Sequence, residues 1–338
     1  MSLSTKPLEM KLTKPTEVPL VVVDTDPGTD DALALFMLLD AHQKGLIQIV
    51  GIVTVRGNTG VDNATRNTMR VLDVLNKTDI PVFRGSMGPI IEEPKPKNSN
   101  ETIEIPYHGW DGFGDAKFSS EPNMSLVQDK PGVLALIEMA QEHKGKLTLI
   151  CLGPLTNAAL AMKTDPEFSN NIHQLFIMGG NYTAEGNITS AAEYNFHCDP
   201  EAAHIVLAKT KSQITLVPWE TCKFHEMSWE WRHDVLGKFK TPPIILMDKI
   251  EKFVYDRSHE TPWSMYYLCD SLIAAVMLYP QLVTKSLSCH LTVELHGGRT
   301  RGQVVMDHLN EFEHNVKLIQ EVDQDMFQQL LLMAVILF

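Results

Sequence analysis

The sequence predicts an α/β fold: an open, mainly parallel (mixed) Rossmann-like sheet flanked by helices. Two observations carry that prediction. Short apolar, β-branched runs alternate with single helical patterns through the first two thirds of the chain, as βαβ units require. The first of these runs also ends in a cluster of carboxylates, and open α/β sheets place ligands outside the carboxyl ends of their strands.

Taken in order, Pro19 to Asp24 reads as a strand, and Thr29 to Lys44 as a helix closed by Gly45. Leu46 to Val55 is apolar again and ends at Arg56-Gly57-Asn58. Asp62 to Asn76 has helical spacing through Ala64, Met69, Leu72 and Leu75, and the strand Ile80 to Phe83 follows. Helix Gly132 to His143, strand Lys146 to Leu152, helix Leu155 to Met162 and strand Ile172 to Met178 continue the alternation. Helix Pro200 to Ala208 and strand Gln213 to Val217 complete it. Lys223 to Tyr267 looks helical with irregular joints, and Cys289 to Leu295 pairs with Gln303 to Asp307 as a hairpin across Gly297-Gly298. Leu330 to Phe338 is continuously apolar but too short to span a bilayer, so a terminal helix buried on the sheet is expected. Ile91 to Asp115, with Pro94, Pro96 and Pro106, is the one extended loop, a length that favours a functional role.

No repeat and no linker-like stretch interrupts residues 19–338, so one domain is expected, preceded by a flexible arm over residues 1–18. A formal net charge of −13 argues against nucleic acid or an anionic membrane surface as partner. The odd cysteine count (Cys151, Cys198, Cys222, Cys269, Cys289) without a CxxC pair suits free thiols in a reducing compartment. Together with the absence of a secretion-like apolar run, this points to the cytoplasm.

Asp24, Asp26, Asp30 and Asp31 place four carboxylates within eight positions across a strand end, a Pro27-Gly28 turn and the first turn of a helix. Such groups repel unless a cation or proton lies between them, and an all-oxygen set suits a hard divalent ion. Helix capping accounts for one acidic residue at such a place, but poorly for four. An EF-hand loop is excluded, because Gly28 falls at position five and Leu35 where the bidentate Glu belongs. A Mg²⁺-dependent haloacid-dehalogenase-type phosphatase also begins with a strand ending in Asp-x-Asp, yet no later Gly-Asp-x-x-x-Asp run continues that pattern. His225-Glu226 opens like a zinc-protease motif, but Trp229 stands at the second His position.

The motif Asp24-Thr25-Asp26-Pro27-Gly28-Thr29-Asp30-Asp31 resembles the signature of the inosine-uridine-preferring nucleoside hydrolases. Further segments agree in order: Gly57-Asn58; His108-Gly109-Trp110-Asp111-Gly112, similar to the family's mobile loop; and Gly153-Pro154-Leu155-Thr156-Asn157. Met178-Gly179-Gly180, Gly186-Asn187, Ala192-Glu193-Tyr194-Asn195 and Asp199-Pro200-Glu201-Ala202-Ala203-His204 follow. The resemblance implies the nucleoside hydrolase fold and hydrolysis of ribonucleosides to ribose and free base by a water on a tightly held Ca²⁺. By motif, Asp26, Asp31, Asp270 and the carbonyl of Leu152 would hold the ion, with Asp26 also taking the water's proton. Asp30 would accept from the 2′-hydroxyl, and Asn58, Asn187, Glu193 and Asn195 would hold the other hydroxyls. His108, Trp110 and Trp263, with Tyr266 and Tyr267, are candidates for contacts to the base. Homodimers or homotetramers are also implied.

The departure lies at Cys269, where well-described members carry a His that can protonate the leaving base; a branch of the family does carry Cys here. A thiol with a free pKa of ~8.5 is protonated at neutral pH and could donate, or it packs as a small hydrophobe. Two other functions therefore stand beside hydrolysis: the dehalogenase-type phosphatase, and a catalytically silent relative that binds ribosides.

Overall fold

The computed structural model describes residues 17–92, 105–260 and 264–336. β1 (Leu20–Thr25), α1 (Thr29–Gln43), β2 (Gln48–Thr54), α2 (Val61–Val74) and β3 (Val82–Arg84) open the chain. α3 (Gly132–Glu142), β4 (Leu147–Cys151), α4 (Thr156–Thr164), α5 (Phe168–Asn171) and β5 (Ile172–Met178) follow. Then come α6 (Tyr194–Cys198), α7 (Pro200–Lys209), β6 (Gln213–Val217), α8 (Trp219–Phe224), α9 (Trp229–Asp234), α10 (Pro242–Ile250) and α11 (Lys252–Arg257). α12 (Cys269–Leu278), β7 (Val283–Cys289), β8 (Leu291–Val293), β9 (Val304–Met306), β10 (Val316–Val322) and α13 (Gln324–Ile336) complete it.

Eight strands form one sheet in the order β3-β2-β1-β4-β5-β6-β10-β7. All its pairings are parallel except β10 with β7. The strand order reverses between β1 and β4, so a crevice opens there at the carboxyl ends. Asp24 pairs in register with Cys151 across that junction, so the chain just beyond it brings Gly153 against Asp26, with Leu152 one residue earlier.

Helices cover both faces. α1 is buried all round, from Ala32 to Ala41, and a helix with no polar face belongs in a core. α12 lies along α1, and α13 packs on the same layer, while α3, α4 and α7 cover the opposite face. No described helix is long and apolar enough to cross a membrane.

Every element predicted up to β6 is present, with ends moved by at most two residues. Three expectations change beyond it. β7 and β10 add an antiparallel edge to the main sheet, where the sequence suggested only a hairpin. That hairpin exists as β8 and β9, a separate pair, but Cys289 belongs to β7 instead. The terminal helix is buried against α1 and α12 more than against any strand of the sheet. Of the arm expected over residues 1–18, only Glu17 and Val18 fall among the described residues; Glu17 pairs with Lys146 at 2.7 Å.

Candidate active site

The chain leaves β1 into the Asp26-Pro27-Gly28 turn, and α1 begins at Thr29. α12 begins at Cys269 and runs beside α1, so both helix N-termini and their acidic first turns meet at the crevice. Ligand oxygens of Asp30, Asp31 and Asp270 consequently come within 4.8 Å of one another. Residues about 240 positions apart in the sequence thus form one acidic group.

Asp31 has both oxygens engaged. Oδ1 accepts from Thr25 Oγ1 at 2.6 Å, and Oδ2 accepts from the Gly28 N–H at 2.9 Å and from Asn58 Nδ2 at 3.2 Å. Helix capping is therefore part of its role. Asp26 is different: Oδ2 accepts the Asn58 N–H at 2.7 Å, whereas Oδ1 is buried with no partner. Asp30 Oδ1 is likewise buried without a hydrogen bond, the nearest cationic candidate being His108 Nε2 at 3.6 Å.

Space around Asp26 is kept by glycine. A Cβ on Gly57 would stand 1.9 Å from Asp26 Oδ2, and one on Gly153 would stand 2.2 Å from Oδ1. Burial first, and then the neighbouring Asp31, drive the Asp26 carboxyl well above its ordinary range. Asp31 and Asp270 are raised by the same burial and repulsion, and burial lifts Asp30 to about 6. Orphaned, crowded oxygens without a basic side chain among them are the donor set a hard cation satisfies. The residues present fit such an ion.

The Leu152 carbonyl lies at the mouth of the crevice and accepts from Asn195 Nδ2 at 2.8 Å, which leaves one lone pair. Asn195 also reaches the Met178 carbonyl at 3.3 Å. Glu193 caps α6, with Oε1 accepting the Asn195 N–H at 2.8 Å and Oε2 accepting from Gly180 at 2.7 Å and Phe196 at 3.1 Å. Burial moves its carboxyl to about 7. Asn187 Oδ1 accepts the Tyr194 N–H at 2.8 Å. Glu193 has both oxygens taken by backbone donors, whereas these bonds use only the oxygen of the Asn187 amide and only the nitrogen of the Asn195 amide.

His108 Nδ1 accepts the Thr29 N–H at 3.2 Å and lies 2.9 Å from Thr29 Oγ1. A backbone N–H can only donate, so the hydrogen sits on Nε2, which faces Asp30. Burial depresses this imidazole to about 4, and it is neutral at pH 7. Trp110 is 54% exposed at the rim. Trp263 lies outside the described residues. Tyr266 is buried and donates to Glu251 Oε1 at 2.6 Å, while Tyr267 packs on Trp219 with ring centroids 5.2 Å apart. Cys269 is buried, and its contact with Cys222, then burial, pushes its thiol well up.

Asp24 turns out to be a strut. Its Oδ1 accepts from Asn157 Nδ2 at 2.8 Å, and the same amide reaches the Thr54 carbonyl at 3.0 Å. Asn157 Oδ1 takes the Ser86 N–H at 2.8 Å, so one side chain stitches β1, β2 and the segment after β3 together. Sequence reasoning gave no role to Asn157, nor to Tyr194, whose hydroxyl donates to the Gly57 carbonyl at 2.8 Å. It also missed Tyr107, whose ring meets the His108 ring edge-on at 4.8 Å. Asn157 and Tyr194 stand inside quoted motif segments and Tyr107 directly before one, and that placement was the signal available.

A family model described as inosine-uridine preferring nucleoside hydrolase matches residues 21–329. Uridine nucleosidase 1 of Arabidopsis thaliana is 36% identical over 197 residues, covering 58% of this chain and 55% of the relative. An inosine-uridine preferring nucleoside hydrolase of Leishmania major is 29% identical over 291 residues, 85% of this chain and 87% of its own. The solved structure of an inosine-guanosine nucleoside hydrolase superposes with a TM-score of 0.83 at 29% identity, over 94% of this chain and 98% of that one. The matches to the plant uridine nucleosidases span about half their length, 52–55%. Because the family match runs through nearly every strand and helix described above, the chain belongs to the inosine-uridine preferring nucleoside hydrolases.

Proposed function

We propose that this chain hydrolyses the N-glycosidic bond of ribonucleosides, giving ribose and free base, with one Ca²⁺ at the crevice. The observation that carries this reading is the convergence of Asp30, Asp31 and Asp270, with Asp26 near enough for its carboxyl to be pushed up by Asp31 and itself holding an unpartnered oxygen. Asp26, Asp31, Asp270 and the Leu152 carbonyl are the assigned holders of the ion. When bound, such an ion lowers the pKa of a ligated water and grips a vicinal diol.

The chain's own residues supply the rest. Asp26 Oδ1, free of hydrogen bonds, accepts the proton of the attacking water as oxygen bonds to the anomeric carbon. The carbon–nitrogen pair leaves with the base, whose nitrogen then takes a proton from solvent water, and Asp26 returns its proton to solvent. Positive charge grows on the sugar as that bond breaks, and the surrounding carboxylates stabilise it. Asp30 receives the 2′-hydroxyl, and Asn58, Asn187, Glu193 and Asn195 line the sugar. His108 and Trp110 border the base, a contact that the family resemblance also assigns to Trp263. Cys269 keeps its proton beside them, and packing is its main contribution. The working unit runs over residues 19–338, acts in the cytoplasm and assembles as a homodimer or homotetramer.

The phosphatase reading needs Asp24 as nucleophile, and Asp24 lies within β1 with Oδ1 tied to Asn157. Reducing sugar released from inosine, uridine and adenosine, measured beside phosphate released from a phosphoester, separates the readings. Ribose from at least one nucleoside is expected, and Asp24→Asn should retain it. Phosphate release without any ribose would overturn the hydrolase, and neither product would favour the silent relative.

A further inference from the structure

We propose that Asn67 is a positioning residue: its carboxamide joins the turn carrying Asp26 to the His108–Asp115 segment, and so fixes His108 against Asp30. The inference rests on the hydrolase reading for its catalytic consequence, but its geometry stands alone.

The segment from His108 to Asp115 is stapled by its own carboxylates. Asp111 Oδ1 accepts the N–H groups of Phe113 at 2.7 Å and Asp115 at 2.9 Å. Asp115 in turn accepts from Trp110 at 3.2 Å and Asp111 at 3.1 Å. Gly109, Gly112 and Gly114 take φ values of +77°, +82° and +67°, which a side chain would oppose. Such a knot moves as one piece or not at all.

Its anchors decide which. Phe113 is fully buried in the core, and a Cβ on Gly114 would meet the Ile250 carbonyl at 2.3 Å. Thr59 Oγ1 donates to the Trp110 carbonyl at 2.9 Å. None of these contacts touches the acidic turn. Asn67, 4% exposed on α2, does: Nδ2 donates to the Pro27 carbonyl at 3.1 Å and to the Asp111 carbonyl at 2.8 Å. One amide group thus serves two carbonyls that would otherwise face each other as like dipoles. A Cβ on Gly112 would lie 2.7 Å from the Pro27 oxygen, so the two backbones meet directly here.

Pro27 is two residues from Thr29, whose N–H holds His108 Nδ1. Releasing Asn67 therefore leaves the ring that faces Asp30 held by its own contacts to Thr29 without the backbone brace, and loosens with it one wall of the sugar and base site. The position of the imidazole then depends on a residue that touches neither sugar nor base.

The test compares the full chain with Asn67→Ala, and with Asn67→Ser should the alanine variant fail to fold. Three quantities are read: ¹⁵N shifts of the His108 ring, amide exchange over Trp110 to Asp115, and kcat/KM for inosine and uridine well below Tm. Expected are drift of the ring nitrogens from a single Nε2–H tautomer toward an average, at least tenfold faster exchange, and at least tenfold lower kcat/KM. A merely structural asparagine would lower Tm and leave the tautomer alone. Unchanged ring shifts and exchange would overturn the proposal. If the parent chain released no ribose at all, the hydrolase reading would fall, while the ring and exchange data would still decide this one.

Discussion

Asp31 and Asp26 show how differently neighbouring carboxylates are used. Asp31 collects three donors and so caps its helix as well as facing the crevice. Asp26 leaves one buried oxygen unanswered, and an unanswered buried oxygen is costly unless a ligand completes it. Asp26→Ala should consequently hold kcat below a tenth of wild type, a barrier rise above about 1.4 kcal/mol, with thermal stability retained or improved. Initial rates on inosine and uridine check this, and a variant above that level would remove Asp26 from the chemistry. Cys269→Ser is expected to stay within threefold of wild-type kcat/KM on every nucleoside accepted, because the native thiol is buried against Cys222 and holds its proton. A hundredfold loss would instead make the thiol the acid for the leaving base. The motif's carboxylates were legible in the sequence as a cluster, since four acids so close demand an explanation. That Asp24 serves Asn157 was not legible, because the partner is 133 residues away and nothing local marks it.

At the level of elements, strands and helices were legible wherever one period dominated. β7 escaped because it is an edge strand exposed along most of its length, so its residues show no buried alternation. The joint between α8 and β10 offers a pH test away from the acidic cluster. His225 Nε2 accepts the Val322 N–H at 3.0 Å, and Nδ1 lies 2.7 Å from Gln324 Oε1. The first contact needs an unprotonated Nε2, whereas Nδ1–H donates to Gln324 in either state; burial, the largest influence, depresses the ring's pKa. The unfolded state then binds a proton more readily than the folded one. The stability this histidine contributes is present above the unfolded value of ~6.5 and is lost as pH falls below it. His225→Leu should cost about 1–3 kcal/mol at pH 7.5, by leaving a buried N–H unanswered, and distinctly less at pH 5. Urea unfolding of both chains at the two pH values checks this; a cost that does not vary with pH would refute it.

Across the whole molecule, sheet order decides where chemistry can happen. The reversal between β1 and β4 opens the crevice, and α1 and α12 start there because each follows a segment that ends at it. The alternation of strands and helices made the parallel sheet legible, and family resemblance supplied the pairing of Asp270 with the first motif. Spacing alone could not have done so, since the two lie at opposite ends of the sequence. A cation bound at this junction favours the folded state, so saturating Ca²⁺ should raise Tm and chelation should lower it; at a hundredfold excess over Kd the gain is ~2.7 kcal/mol. A Tm that ignores both additions would argue that no ion is held. The most direct test counts the ion itself. Equilibrium dialysis against Ca²⁺ is predicted to give one tightly held ion per chain, and none in Asp270→Ala at the same free concentration. No bound calcium in the parent chain, or equal binding in the two, would contradict the account.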